Sequence, residues 1–303
     1  MKKKNRIAGA AGIAAVLLLL LIAAGCGTDS SPRILQQEVW LDSGKGDWIR
    51  AEAAVPAHRE TDKLPLVTIG HGFRGNMDSA GGNYLSEALA KAGFAVIRMD
   101  YAHYRKQDPD TLVNQYTVDT MIEDQLTCIR YMIEHYDGDP DRIGLYGRSM
   151  GGRVAMVMAN EGSGGYDYRA LALVAPAGTA EALPYYMGGQ EQWQKMKEEA
   201  RTKGFITHQQ VILTPEFFSS IEDNTPSQRG DSFSGPVLVI YNTEDYVVLP
   251  ETSKACAAAY EHAELVEVTS EKSPHGYEMG FRSSALKDRL IGKITAFFEE
   301  ALQ

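Results

Sequence analysis

Short apolar runs alternate with longer amphipathic stretches along most of the chain. Eight runs have the length and the β-branched or aromatic content of strands, and the run at 236–241 is apolar throughout, as in a strand buried on both faces. They begin near Gln37, Trp48, Pro65, Phe94, Ile143, Ala170, Val237 and Leu265. Helical patterns separate the later runs, at 84–92, 118–135, 153–160, 252–261 and 284–302. This alternation predicts an α/β fold with a mostly parallel, eight-stranded sheet and helices on both faces.

One stretch interrupts the alternation. About sixty residues separate the strand near Ala170 from the strand near Val237, and a structureless loop of that length is improbable in a compact domain. We therefore predict an inserted cap at about 177–234, over the carboxyl edge of the sheet. Its aromatic side chains either line a substrate pocket or form the cap's own small core, and the second is favoured for most of them. These aromatics are Tyr185, Tyr186, Trp193, Phe205, Phe217 and Phe218.

The first 35 residues have a different character. A basic segment is followed by an uncharged apolar run at 7–24, then by Cys26 and a polar, turn-rich stretch. This order resembles a bacterial lipoprotein signal, which implies cleavage before Cys26, lipidation of that cysteine and anchoring on the extracytoplasmic face of the cell membrane. We predict a signal peptide at 1–25, a linker at 26–35 and a catalytic domain at 36–303. A plain secretory signal or an uncleaved membrane anchor are the alternatives.

Charge and cysteine content restrict the partners. The formal net charge is −10, and it becomes −14 without the four basic residues of the first 25. Such an acidic chain argues against a nucleic-acid partner. Cys128 and Cys256 lie in helical patterns and are predicted to be buried free thiols, not a disulfide framework. No metal-ligand spacing occurs, so we expect no metal and no cofactor. The sequence does not indicate the oligomeric state.

A serine lies in a tight turn between a predicted strand and a predicted helix. The turn reads Gly147-Arg148-Ser149-Met150-Gly151, the arrangement of a nucleophile elbow. Glycines two residues before and after the serine prevent a clash between side chains. The start of the helix supplies free backbone N–H groups for a developing oxyanion. The alternative is a glycine-rich loop in which Ser149 is only the N-cap of the helix.

An acid and a histidine follow at later strand ends. The strand at 236–241 leads to Glu244 and Asp245, and the strand at 263–268 leads to His275. The carboxyl ends of parallel strands share one edge of the sheet, and the order serine, acid, histidine is the one that accompanies a nucleophile elbow. Taken alone, His275 could be an ordinary turn residue and Asp245 an Asx-turn residue.

A glycine-rich loop follows the third predicted strand. It reads Gly70-His71-Gly72-Phe73, and in an elbow-type fold this loop supplies the second oxyanion donor. The expected donors are the backbone N–H groups of Phe73 and Met150, with His71 bracing the loop. The alternative is an ordinary glycine-rich turn.

Together these motifs resemble the α/β-hydrolase superfamily, and within it the bacterial cinnamoyl/feruloyl-esterase-like and dienelactone-hydrolase-related branch. The resemblance covers roughly residues 36–302. It is carried by the 71–76 loop, the 147–152 elbow, Glu244-Asp245 with Val247-Val248, and His275. The residues that follow Asp245 have the family's spacing and favour it over Glu244 as the acid.

Three departures concern the substrate. Arg148 precedes the nucleophile where histidine is usual, the segment 101–105 is not the glycine-rich loop common in the esterases, and the elbow carries serine where dienelactone hydrolases carry cysteine.

The resemblance implies an α/β-hydrolase fold and cleavage of small aromatic or acyl esters by a Ser149–His275–Asp245 triad through an acyl-enzyme. A lipid-anchored binding protein on an inactive scaffold, or a peptidase or thioesterase of the same fold, are the alternatives.

Overall fold

The computed structural model describes residues 32–59, 62–101 and 116–303. The predicted signal peptide, Cys26, most of the predicted linker and His103 lie outside these ranges. Residues Pro32–Gln303 form one compact unit. Among the described residues, no helix combines the length and the apolar character needed to cross a bilayer.

Eight of the ten strands found in the described residues form one sheet. In chain order the strands are β1 (Ile34–Asp42), β2 (Trp48–Pro56), β3 (Leu64–Gly70), β4 (Ala95–Asp100), β5 (Gly138–Arg148), β6 (Tyr168–Val174), β7 (Ile206–His208), β8 (Val211–Leu213), β9 (Val237–Asn242) and β10 (Ala263–Val268). The sheet order is β1-β2-β4-β3-β5-β6-β9-β10. β1 and β2 pair antiparallel, as do β2 and β4, and the remaining neighbours are parallel.

Eight α-helices accompany these strands in the described part of the chain. They are α1 (Gly82–Lys91), α2 (Val118–His135), α3 (Met150–Glu161), α4 (Ala182–Tyr186), α5 (Gln190–Lys203), α6 (Pro215–Asp223), α7 (Pro250–Ala258) and α8 (Ala285–Leu302). Helix α1 packs against α8, and α2 packs against α3. The predicted α/β-hydrolase fold, a mostly parallel sheet surrounded by helices, is confirmed.

Parallel pairing brings five strand ends to one edge of the sheet. Gly70 at the end of β3 pairs with Gly147 near the end of β5, and Arg148 pairs with Val174 at the end of β6. The last residue of β9, Asn242, pairs with Val268 at the end of β10. The loops that carry the predicted site residues therefore leave neighbouring strands at the same edge.

The stretch between β6 and β9, which we call the insertion (residues 177–234), has its own secondary structure. It contains α4, α5, α6, the β7–β8 hairpin and two short 3-10 turns. Three of its six predicted aromatics form its core: the Trp193 ring contacts the Phe217 and Phe218 rings with centroids 6.0 and 4.8 Å apart, and all three side chains are fully buried.

A buried arginine joins the insertion to helix α3. The Arg153 guanidinium donates hydrogen bonds to the carbonyls of Ala177, Thr179, Ile221 and Asn224. Burial lowers the pKa of Arg153 to about 10. Because the end of α6 has carbonyls without helical partners, this arginine satisfies them while fixing the insertion to the sheet domain.

Candidate active site

Ser149 occupies a strained turn between β5 and α3. Its φ of 54° and ψ of −118° lie in a region that residues with a side chain rarely adopt. The surrounding backbone holds it there. The Ser149 N–H donates to Val174 O at 3.0 Å, and its carbonyl accepts from the N–H of Ala177 at 3.0 Å. The carbonyl also accepts from the Arg153 N–H at 3.2 Å.

The flanking glycines allow the turn to be this tight. A Cβ at Gly147 would overlap the carbonyl of Gly151, and a Cβ at Gly151 would overlap the carbonyl of Gly70 on β3. Ser149 is the N-cap residue of α3 by position, but its side chain makes no capping hydrogen bond. The hydroxyl is therefore not used to stabilise the helix start.

Asp245 and His275 meet directly. The Asp245 Oδ2 atom accepts a hydrogen bond from His275 Nδ1 at 2.8 Å, and the Asp245 side chain has no exposed surface. Its Oδ1 atom accepts from the backbone N–H groups of Val247 and Val248 at 2.9 and 3.0 Å. Backbone donors thus hold one carboxylate oxygen, and the other is directed at the histidine ring.

Tyr277 contacts the same carboxylate. Its hydroxyl donates to Asp245 Oδ2 at 3.2 Å and accepts from the Asn242 N–H at 2.9 Å. Burial, and then the neighbouring carboxylate, raise the pKa of Tyr277, so the phenol keeps its proton. The competing acid, Glu244, has an exposed side chain whose Oε1 accepts from Thr243 Oγ1 at 3.4 Å. The structure brings Asp245, and not Glu244, to His275.

Opposing influences act on the His275 ring. Burial lowers its pKa, the hydrogen bond from Nδ1 to Asp245 raises it, and the positive charge of Arg148 lowers it; the net direction is down. The ring is therefore neutral at neutral pH. With Nδ1 donating to Asp245, Nε2 is unprotonated and able to accept a proton.

The loop after β3 is braced by its histidine. The backbone N–H of Tyr101 donates to His71 Nε2 at 3.4 Å, so the ring proton lies on Nδ1, which donates to the carbonyl of Gly72 at 2.8 Å. The Gly75 N–H donates to the same carbonyl at 2.9 Å. A Cβ at Gly72 would come within 3.0 Å of the Ser149 Cβ, so this loop passes directly over the turn.

A cavity of about 140 Å³ connects these elements. Ser149 and His275 line it together with Phe73 and Met150, the residues whose N–H groups were predicted as oxyanion donors. Met150 is the first residue of α3, so its N–H has no partner within the helix. The remaining wall is apolar apart from one tyrosine: Ala177, Ala182, Leu183, Tyr186, Val247 and Val248.

Two features of the site were not anticipated: Tyr277 donates to the carboxylate of Asp245, and Arg148 donates to the backbone carbonyl of His275. Tyr186 is the one of the six predicted insertion aromatics that lines the cavity. Of the two unanticipated residues, only Arg148 carried a signal in the sequence, as a departure from the usual histidine. The contact it makes spans 127 positions, and no local pattern encodes such a pair.

Solved structures similar to this chain share its fold. A hypothetical protein from Pseudomonas aeruginosa is 17% identical with a TM-score of 0.70, and the match covers 89% of this chain and 94% of that one. Est1E from Butyrivibrio proteoclasticus, in a structure with ferulic acid bound, is 20% identical with a TM-score of 0.62 over 84% of this chain and 99% of that one. EstE1, a thermostable carboxylesterase from a metagenomic library, is 18% identical with a TM-score of 0.59 over 90% and 91% of the two chains.

The sequence itself matches a family. No curated protein matches the chain, whereas the profile of the prolyl oligopeptidase family matches residues 85–303. The matched region includes the elbow and the acid and histidine loops, and it covers well over half of the chain. This protein is therefore a hydrolase with the α/β-hydrolase fold, and it belongs to the prolyl oligopeptidase family.

Proposed function

We propose that the protein hydrolyses carboxylic esters of small acyl or aromatic acids, with Ser149, His275 and Asp245 as its catalytic triad. The observation that carries the proposal is the apolar cavity bounded jointly by Ser149, His275, Phe73 and Met150. A carbonyl carbon placed there is within reach of a hydroxyl, a neutral imidazole and two backbone donors.

The proposed reaction has two halves. His275 Nε2 takes the proton of the Ser149 hydroxyl as its oxygen attacks the ester carbonyl, and the imidazolium then gives that proton to the leaving alcohol. Water, activated by the same ring, releases the acid from the acyl-enzyme. Asp245 holds Nδ1–H and stabilises the charged ring, while the Phe73 and Met150 N–H groups bind the oxyanion. Loss of one such donor costs about 3 kcal/mol in the activation barrier.

The size of the cavity supports small acids. An apolar cavity of about 150 Å³ in another protein holds one benzene molecule, which is close to the 140 Å³ found here. A short acyl chain or a single aromatic ring fits such a space, which favours small acids. The ferulic acid bound in the Est1E structure is consistent with an aromatic acid but, at 20% identity, does not select one.

Peptide cleavage is the second candidate, because the matched family is the prolyl oligopeptidase family. The acyl-enzyme chemistry would be the same, with an amine as the leaving group. The described cavity walls carry no carboxylate or lysine that would bind a peptide terminus, which favours the ester.

The test compares wild type with Ser149→Ala on p-nitrophenyl esters of increasing acyl length, a feruloyl ester, an acetylated sugar and a prolyl peptide p-nitroanilide. We expect kcat/KM to be highest for short or aromatic acyl groups and the variant to lose at least about 10⁵-fold in kcat without a change in circular dichroism. A fluorophosphonate probe should label only the wild type. Near wild-type turnover in the variant would refute the triad, peptide cleavage above ester cleavage would select the second candidate, and an unlabelled, inactive wild type would favour a binding protein.

A further inference from the structure

Arg148 lies directly before the nucleophile and makes an unusual contact. One terminal nitrogen of its guanidinium donates a hydrogen bond to the backbone carbonyl of His275. Its Nε is buried and has no hydrogen-bond partner, and among the described residues no carboxylate forms a salt bridge with it. The side chain as a whole is half-buried, and enclosing part of a cation without an ion pair carries a desolvation cost, which suggests that the position serves the site and not stability.

We infer that Arg148 is a positioning residue that ties the loop carrying the base to the strand carrying the nucleophile. The inference rests on the proposed function, since it assigns Arg148 a part in the triad's geometry. Arg148 is the last residue of β5, and Ser149 follows it. A bond from residue 148 to the main chain of residue 275 therefore connects the residue before the proposed nucleophile to the main chain of the proposed base.

The base loop needs such a tether. It runs between β10 and α8, and Tyr277 and Glu278 within it have φ values of 55° and 54°. From β9, Asn242 holds the loop by donating to the carbonyl of Pro274 at 2.8 Å. Arg148 holds it from β5, on the side of the nucleophile. Without the Arg148 bond, the base loop is held only through Asn242 and Asp245, on the side of β9, and the distance between the His275 ring and the Ser149 hydroxyl is less tightly fixed.

The same guanidinium also places a fixed positive charge near the ring. Asp245 faces His275 from the loop after β9, Arg148 faces it from β5, and Tyr277 faces Asp245 and Arg148 from the base loop itself. Tyr146 also faces Arg148, and His71 lines the small cavity beside it. Of these groups Asp245 favours the protonated ring and Arg148 opposes it. Removing the positive charge therefore raises the pKa of His275.

Two variants separate the hydrogen bond from the charge. Arg148→Gln loses the charge and Arg148→Lys keeps it, and neither side chain reproduces the guanidinium contact. We expect both to lower the rate at which a fluorophosphonate labels Ser149, and kcat for a short ester, on the order of 10- to 100-fold with little change in KM, since misplacement by about 1 Å costs about 10²-fold. The acidic limb of the pH–rate profile, set by the neutral base, should move to higher pH in Arg148→Gln and stay in place in Arg148→Lys.

Arg153→Gln is the matched control. This fully buried arginine lies on α3 and donates to carbonyls of the insertion, so its loss should lower the melting temperature and leave the acidic limb in place. A wild-type rate in either Arg148 variant, or an acidic limb that moves equally in Arg148→Gln and Arg153→Gln, would overturn the inference. Every variant is measured with the fluorophosphonate probe as well as with the ester. If the probe labels the wild type and the Arg148 variants react at the wild-type rate, only the inference about Arg148 is refuted. A wild type that the probe does not label refutes the proposed function and the inference together.

Discussion

The Asp245 carboxylate is fully buried, and four donors surround it. Two are backbone N–H groups, one is the His275 ring and one is the Tyr277 hydroxyl. The directions of these donors decide which lone pair faces the histidine. Because each donor comes from a different backbone position, the orientation of the acid does not depend on a single bond.

Asp245→Asn should reduce kcat far more than Glu244→Gln. The carbonyl oxygen of the introduced amide would keep the two backbone donors, and its NH₂ group would then face Nδ1 of His275. Nδ1 would become an acceptor and the ring proton would move to Nε2, where it blocks acceptance of the serine proton. In serine proteases this change of tautomer costs about 10⁴-fold.

Glu244→Gln is the control for that experiment. Its side chain is exposed, and surface substitutions change the free energy of unfolding by about 0.5 kcal/mol or less. We therefore expect kcat to change by about a factor of two or less. The measurement is kcat for a short p-nitrophenyl ester in both variants. Equal losses would mean that the two acids share the role, and a large loss only in Glu244→Gln would remove Asp245 from the triad.

At the scale of single residues, the sequence predicts those site residues that directly follow predicted strands. Ser149, Asp245 and His275 each follow a predicted strand, and strand ends share an edge, so their meeting could be anticipated. The contacts of Arg148 and Tyr277 could not, because they depend on side-chain directions within loops that have no repeating pattern. The aromatic that lines the cavity, Tyr186 instead of Trp193, is likewise decided by how the insertion packs.

Among the elements, the β7–β8 hairpin has a strained turn outside the catalytic loops. Its two central residues, Gln209 and Gln210, have φ values of 47° and 70°, in the left-handed region that favours glycine. The strain places the Gln209 Oε1 atom between the Arg74 guanidinium at 2.8 Å and the Tyr186 hydroxyl at 2.9 Å. One glutamine at the hairpin tip thus connects the loop after β3 to the wall of the cavity.

Gln210→Gly should stabilise the protein. Glycine adopts a φ of 70° without the clash that costs other residues about 1 kcal/mol or more, so we expect the free energy of unfolding to rise by about 0.5–1 kcal/mol. Ester hydrolysis should be unchanged because Gln209 keeps both of its bonds. Urea unfolding followed by fluorescence measures the effect.

Gln194→Gly provides the opposite case. Gln194 is exposed within α5, where glycine lowers stability by about 1 kcal/mol. If Gln210→Gly lowered stability to the same extent, the turn would not carry the strain inferred from its backbone angles.

Element boundaries show where sequence patterns suffice. Helix α2 was predicted at its observed limits, because its apolar spacing begins just after Thr117, whose side chain accepts from the Thr120 N–H in a capping box. The predicted start of α3 was three residues late, because the residues of the elbow do not show the apolar spacing of a helix. The β7–β8 hairpin was missed because Gln-Gln is not a recognised turn pair, unlike Asn-Gly.

In the whole molecule, the order of the strands in the sheet brings residues that are far apart in the sequence together in one site. The loop with a predicted oxyanion donor follows β3, the proposed nucleophile follows its neighbour β5, and the proposed acid and base follow β9 and β10. The insertion follows β6, which lies between them, and contributes Ala177, Ala182, Leu183 and Tyr186 to the cavity. Under the proposed function, changes at Ala182, Leu183 or Tyr186, which line the cavity from the insertion, should alter the acyl specificity without moving the proposed triad.

The location of this activity depends on the first 35 residues, and we propose that Cys26 carries the lipid that holds the enzyme at the membrane. A single fatty chain binds a bilayer only marginally, whereas two or more chains anchor a protein stably, so a fully modified cysteine would suffice without a membrane-spanning helix. Cells grown with labelled palmitate should yield labelled protein in the detergent phase after phase separation, and Cys26→Ser should abolish the label.

Cys128→Ser and Cys256→Ser are the controls for palmitate labelling, because both thiols are buried and neither should accept a lipid. Each variant should retain the label of the wild type.

An unlabelled wild type in the aqueous phase would instead indicate a plain secretory signal. An unlabelled wild type that stays in the detergent phase and keeps its N-terminal basic segment would indicate an uncleaved anchor, since the apolar run at 7–24 is near the lower length limit for spanning a bilayer. In either case the ester hydrolysis proposed for Ser149 would be unaffected, because the anchor and the catalytic domain are separate parts of the chain.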